Sequence, residues 1–163
     1  MKKRHLLLLI LPAALVMASG FVVVNSLGCN YELTLNHRDL RYYGVCRWGM
    51  VNFLESDERT GSKWSVSAFQ ISLADQLLFV IRERRQLREG RGDVQLLDNY
   101  NQSQSVYRLV NYAWMPVDRK RIAMFQVAPH HDVWIAEREG PMDLMDALYP
   151  RPAPAWPGRA GAQ

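Results

Sequence analysis

The fold turns on one stretch, Asp75-Gln76-Leu77-Leu78-Phe79-Val80-Ile81-Arg82-Glu83-Arg84-Arg85-Gln86-Leu87-Arg88-Glu89. Leu77, Leu78, Ile81 and Leu87 suit one face of an amphipathic helix, and Gly90 stands where a C-terminal cap belongs. The five residues Leu77 to Ile81 also read as a buried strand, because periodicity does not separate short apolar runs. Arg82, Arg84, Arg85 and Arg88 tip the balance: on a helix they would lie near its negative end. The reading adopted is a helix, and it predicts an α+β domain, a mostly antiparallel sheet with one helix packed on it. A strand here would predict a small β-sandwich instead.

Outward from this stretch the chain is rich in strand signals. Tyr31, Leu33 and Leu35 alternate with polar residues, and Leu40 to Val45 and Trp48 to Leu54 are aromatic and β-branched, interrupted by Gly44 and Gly49. The polar run from Glu55 to Lys63 predicts a loop. Trp64, Val66 and Ala68 alternate with serines before Phe69, Ile71 and Leu73 change phase, which suggests a strand with a bulge. Downstream, Val94 to Leu97 reads as a strand fragment and Asp98 to Ser105 as a polar loop. Val106 to Trp114 alternates clearly, Pro116 to Lys120 turns, Ile122 to Ala128 returns as a hairpin partner, and Val133 to Ala136 is a last strand. Met142 to Leu148 reads as a short helix after Pro141, and the proline-rich residues 149–163 as a disordered tail. Trp48, Trp64, Trp114 and Trp134 all fall in predicted strands, where packing is the default role.

At the start of the chain, Lys2, Lys3, Arg4 and His5 precede an uncharged apolar run from Leu6 to Val24. Helical, that run would span roughly 28 Å, close to the hydrocarbon thickness of a bilayer. Residues 1–24 are therefore a signal peptide or a membrane anchor, inserted through residues 6–24, with residues 25–148 forming one domain on the far side. Pro12, read as breaking the helix early, and Ala18-Ser19-Gly20 favour cleavage; Phe21 to Val24, continuing the apolar run, favours retention. Ser26-Leu27-Gly28-Cys29 partly resembles a bacterial lipid-attachment box, with its leucine one position out of place.

The same segment disposes of the net charge of +4. Three of the positive charges are Lys2, Lys3 and Arg4, leaving 17 basic against 16 acidic residues, a net of +1, in the exported part. Nucleic-acid binding needs basic residues concentrated on a face, so no nucleic-acid partner is expected. An exported protein with two cysteines predicts a Cys29–Cys46 disulfide.

Few residues invite chemistry. His130, His131 and Asp132, with His37, are the metal-ligand types present, although neighbours on a strand point to opposite faces. Arg82, Arg84, Arg85 and Arg88 are candidates for binding anionic headgroups, a wall polymer or an acidic partner. No serine elbow, phosphate-cradling loop or paired metal-ligand motif is present. The sequence reading is thus of a small envelope domain, periplasmic or extracellular, tethered or secreted, without cofactor or catalytic residues, that binds another envelope component such as a protein. The rival is a secreted hydrolase or metal-dependent enzyme built on His130, His131 and Asp132.

Overall fold

The computed structural model describes residues 2–92, 96–128 and 132–154. In chain order these form α1 (Lys2–Leu27), β1 (Asn30–His37), β2 (Leu40–Arg47), β3 (Met50–Asp57), β4 (Lys63–Leu73), β5 (Gln76–Arg88), α2 (Leu96–Gln104), β6 (Leu109–Pro116), β7 (Arg121–Ala128), β8 (Asp132–Glu139) and α3 (Leu144–Leu148). Each strand pairs antiparallel with the next, and β8 returns to β1, closing a barrel. The domain is mostly antiparallel β with helices added, so the α+β description holds at that level. Closure replaces both the open sheet under a helix and the sandwich.

The correction begins at residues 76–88, which are a strand. Leu77, Phe79 and Ile81 point into the barrel at a period of two, while Leu78 and Val80 are half-covered outside by cross-strand neighbours Ile71, Phe69 and Leu109. Both faces are apolar, which erased the alternation. A bulge opposite Ser67/Ala68 leaves Arg82 as the extra residue and shifts the parity beyond it, so Arg84 and Gln86 inherit inward positions. The four arginines therefore share no helical face.

Other boundaries move for similar reasons. In β4 no phase change occurs: Gln70 and Ser72 continue the inward row, and Phe69, Ile71 and Leu73 face out. Glu55 to Asp57 belong to β3, with Glu55 and Asp57 buried. Trp48 lies in the two-residue turn between β2 and β3, where it and Gly49 both take positive φ, and it is 80% exposed rather than packed. Leu96 to Gln104 is a helix, not a strand end and a loop.

Helix α1 runs through Pro12, which removes one backbone hydrogen bond from an otherwise continuous ladder. The span Ile10–Leu27 is long and apolar enough to cross a membrane, a property shared by anchors and signal sequences. From Ile10 to Val24 the helix is largely uncovered, and its last turn is built into the barrel. Asn25 Nδ2 donates to Ser72 O (3.1 Å), Asn25 Oδ1 accepts from Met145 N (2.9 Å), and Ser26 Oγ accepts from Ser72 N (2.9 Å). Gly28 lets α3 approach, since a Cβ there would fall within 2.6 Å of Leu144 Cα.

The Cys29–Cys46 disulfide (Cα–Cα 5.8 Å) fastens the start of β1 to the end of β2. It occupies the sulfur that lipid attachment at Cys29 would require. Around it the core is continuous through Tyr31, Leu33, Val51, Ala68, Leu77, Trp114, Ile122 and Met142. The chain stays docked past the predicted domain end, because Arg151 bonds Ala74 O (2.6 Å), pairs with Asp75 (3.3 Å) and lies 4.2 Å from the Trp114 ring centroid.

Candidate functional site

The two ends of the barrel are covered by different elements. Helices α1 and α3 and the disulfide close one, and α2 lies over the other. Beneath α2 a half-open cavity of about 110 Å³ occupies the barrel interior. Eight strands are just wide enough to be filled by side chains or to hold one small ligand, so interior residue size decides between the two. Here Gly44 lies opposite Phe53, whose ring occupies the space a Cβ at residue 44 would need, and Ala136 is small.

The wall is apolar below and mixed above. Leu33, Val66, Phe79, Ile81, Val110 and Met124 form its apolar part. Its aromatic side is ordered by edge contacts: Phe53 on Phe79 (5.7 Å), Phe79 against Tyr112 (5.7 Å) and Tyr42 on Trp134 (5.8 Å). Tyr42, Tyr112, Glu55, Arg84, Tyr100 and Gln104 bring polar atoms to the upper part.

Helix α2 is held there by polar bonds rather than by an apolar stripe. Its buried face is Leu97, Asp98, Asn101 and Gln104. Asp98 Oδ1 accepts from Ser62 Oγ, Trp64 Nε1 (2.6 Å) and Gln86 Nε2 (3.0 Å), and Oδ2 accepts from Gly90 N (3.1 Å). Burial opposes ionisation of Asp98, but these donors prevail and hold its carboxyl below the ordinary range. Asn101 accepts from Arg84 Nη1 and donates to Glu55 Oε2 (2.6 Å). Burial pushes the Glu55 carboxyl up, with the Asn101 bond and the Arg84 charge pulling back. Burial likewise raises the Tyr112 phenol.

Arg84 is the one arginine of the four that reaches this site. Its Nε is buried with no hydrogen-bond partner among the described residues, a costly state for a guanidinium. Arg82 lies outside over the Phe69 ring (5.1 Å), and Arg85 and Arg88 are exposed. Of the metal-ligand candidates, the side chains of His130, His131 and Asp132 lie outside the described residues. His37 packs edge-on against Trp134 (5.6 Å). Among the described residues no group of three or more His, Cys, Asp or Glu is placed to hold a metal ion.

The sequence reading passed over Glu55, Asp98, Asn101 and Gln104 because each sat in a polar run that reads as loop. Only the spacing Leu97, Asn101, Gln104 carried a helical signal. No protein-family model matches the chain, and no curated protein matches its sequence.

Proposed function

We propose that this is a non-enzymatic, membrane-anchored domain of the cell envelope whose barrel binds a small, largely apolar molecule with a hydrogen-bond-accepting polar end, such as a short acyl carboxylate. The cavity beneath α2 carries the reading: an apolar, aromatic interior leads up to Arg84, whose buried Nε–H lacks an acceptor. A carboxylate or carbonyl entering apolar end first would satisfy that donor. Glu55, its carboxyl raised by burial, would offer little opposing charge in its protonated form.

Anchoring rather than secretion is supported by Phe21, Val23 and Val24, which are about half exposed and would stay so in a chain cut after Gly20. In a bilayer they are covered. The disulfide supports an oxidising compartment for the barrel.

The test is calorimetric titration of the full chain in lipid nanodiscs with straight-chain carboxylates from hexanoate to decanoate, beside the matching alcohols. Saturable binding of the carboxylates, weakened roughly tenfold or more in Arg84→Met, is the expected result. Binding unchanged in Arg84→Met, or absent across the series while native mass spectrometry finds no co-purified small molecule, overturns the proposal.

A further inference from the structure

We infer that the α1 end of the barrel is itself a membrane-docking surface, seated in the bilayer interface by a rim of exposed apolar side chains led by Trp48. This rests on α1 being a retained anchor. Ordinarily a tether leaves its domain free to tumble above the membrane. Here only Gly28 and Cys29 separate the last residue of α1 from the first of β1, and Asn25 and Ser26 are bonded into β4 and α3. The barrel end must therefore lie where the apolar span stops.

That end carries the side chains an interface accepts. Trp48 is 80% exposed and Leu73, Leu148 and Tyr149 are all more than half exposed, and they stand on three separate elements around the foot of α1. The turn carrying Trp48 abuts the helix, with Leu27 Cδ2 3.3 Å from where a Gly49 Cβ would sit. Leu73 follows Ser72, the partner of Asn25 and Ser26. Leu148 and Tyr149 continue α3, which Asn25 contacts at Met145. Trp48 holds its ring outward at φ +53°, a left-handed conformation unfavourable for a large side chain and uncompensated by packing in water. At a membrane surface, tryptophan and tyrosine rings are the preferred residues, with the apolar body in the acyl boundary and the polar edge among headgroups.

Seating also fixes direction. The cavity mouth under α2 is at the opposite end, so it would stand roughly 20 Å above the surface, eight strand residues tilted as in a barrel. Ligand then enters from the aqueous side rather than sideways from the supporting bilayer.

The experiment uses the full chain in nanodiscs made with lipids brominated on the upper acyl chain, compared with unbrominated ones. The fluorescence component lost in Trp48→Phe, wild type minus variant, is expected to be quenched roughly twofold or more by the brominated lipid. In Trp48→Phe/Leu73→Trp the reporter moves to the β4–β5 turn, and quenching is expected to return. Intact mass of the membrane-extracted protein is measured alongside. A full-length chain with neither reporter quenched overturns the seating alone; a mature chain beginning at Phe21 overturns the anchor and the seating with it.

Discussion

The two ends of this barrel are closed by different physics. At the α1 end a covalent link joins apolar and polar contacts: the disulfide, Met142 and Tyr31 in the core, Trp114 with the Arg138 and Arg151 guanidinium groups 5.4 and 4.2 Å from its ring centroid, and buried bonds such as Arg138 to Asp146 (2.6 Å) and Asn25 to Ser72 (3.1 Å). At the α2 end no covalent link exists among the described residues, and one helix is held by the buried Asp98 carboxylate and the Asn101 amide. The first arrangement has a covalent tie beside its polar bonds. The second depends on charge and on every donor being met. The difference places a covalent tie at the α1 end and none at the cavity mouth.

The strongest way to break the contrast is Asp98→Ala. It strands three buried donors, Ser62 Oγ, Trp64 Nε1 and Gly90 N, each costing about 1–3 kcal/mol when unmet, and frees Gln86 to water, so a loss of at least about 3 kcal/mol is expected in urea unfolding. A loss below about 1 kcal/mol would mean α2 is not held by this residue. The same group predicts acid sensitivity. Because its folded pKa lies below the unfolded value of about 3.9, its contribution is complete above that value and is lost as pH falls through the lower folded one. Asp98→Asn should flatten that acid limb.

Next comes the other end. Cys29→Ala/Cys46→Ala opens a loop of 17-residue separation and is expected to cost about 3 kcal/mol, with no change in carboxylate affinity at the far mouth. Smaller still, Tyr31→Phe removes the hydroxyl that donates to Gln70 Oε1 at 2.6 Å and should cost about 1–2 kcal/mol by thermal or urea denaturation. The least effect is expected from Glu55→Gln. Glu55 has a raised folded pKa, so whatever it contributes is present below about 4.3 and lost as pH rises through the folded value. The amide avoids that charge, and a gain of about 0.5–1 kcal/mol at pH 8 is expected. A marked loss there would show that the ionised carboxylate holds Asn101.

These same two ends explain what the sequence disclosed. β1 was legible because Glu32, Thr34 and Asn36 keep its outer face polar, β6 and β7 because apolar and aromatic runs flank the turn between them, and the cysteines near the α1 end declared their bridge. β5 was not legible, since Leu78 and Val80 are apolar outside as well as Leu77, Phe79 and Ile81 inside, and the bulge at Arg82 reverses the parity afterwards. The barrel follows from that one strand, because with β5 restored every neighbour pairs in order. The α2 end was illegible for the opposite reason. Helix signals are apolar stripes, and this helix buries Asp98, Asn101 and Gln104, with the partners of Asp98 and Asn101 on β3, β4 and β5. Arg84 was singled out for its charge, but its inward direction depended on the bulge.

The absence of slack between α1 and β1 also has a mechanical meaning. Tension applied through α1 would ordinarily peel β1 from the barrel one residue at a time, and its seam with β8 has only three register pairs to resist. Instead the load divides at the first residues it meets. Asn25 and Ser26 pass part of it to β4, and the disulfide passes part to β2, whose eight register pairs with β3 are then loaded together. A pull on α1 is thus shared among several strands at once.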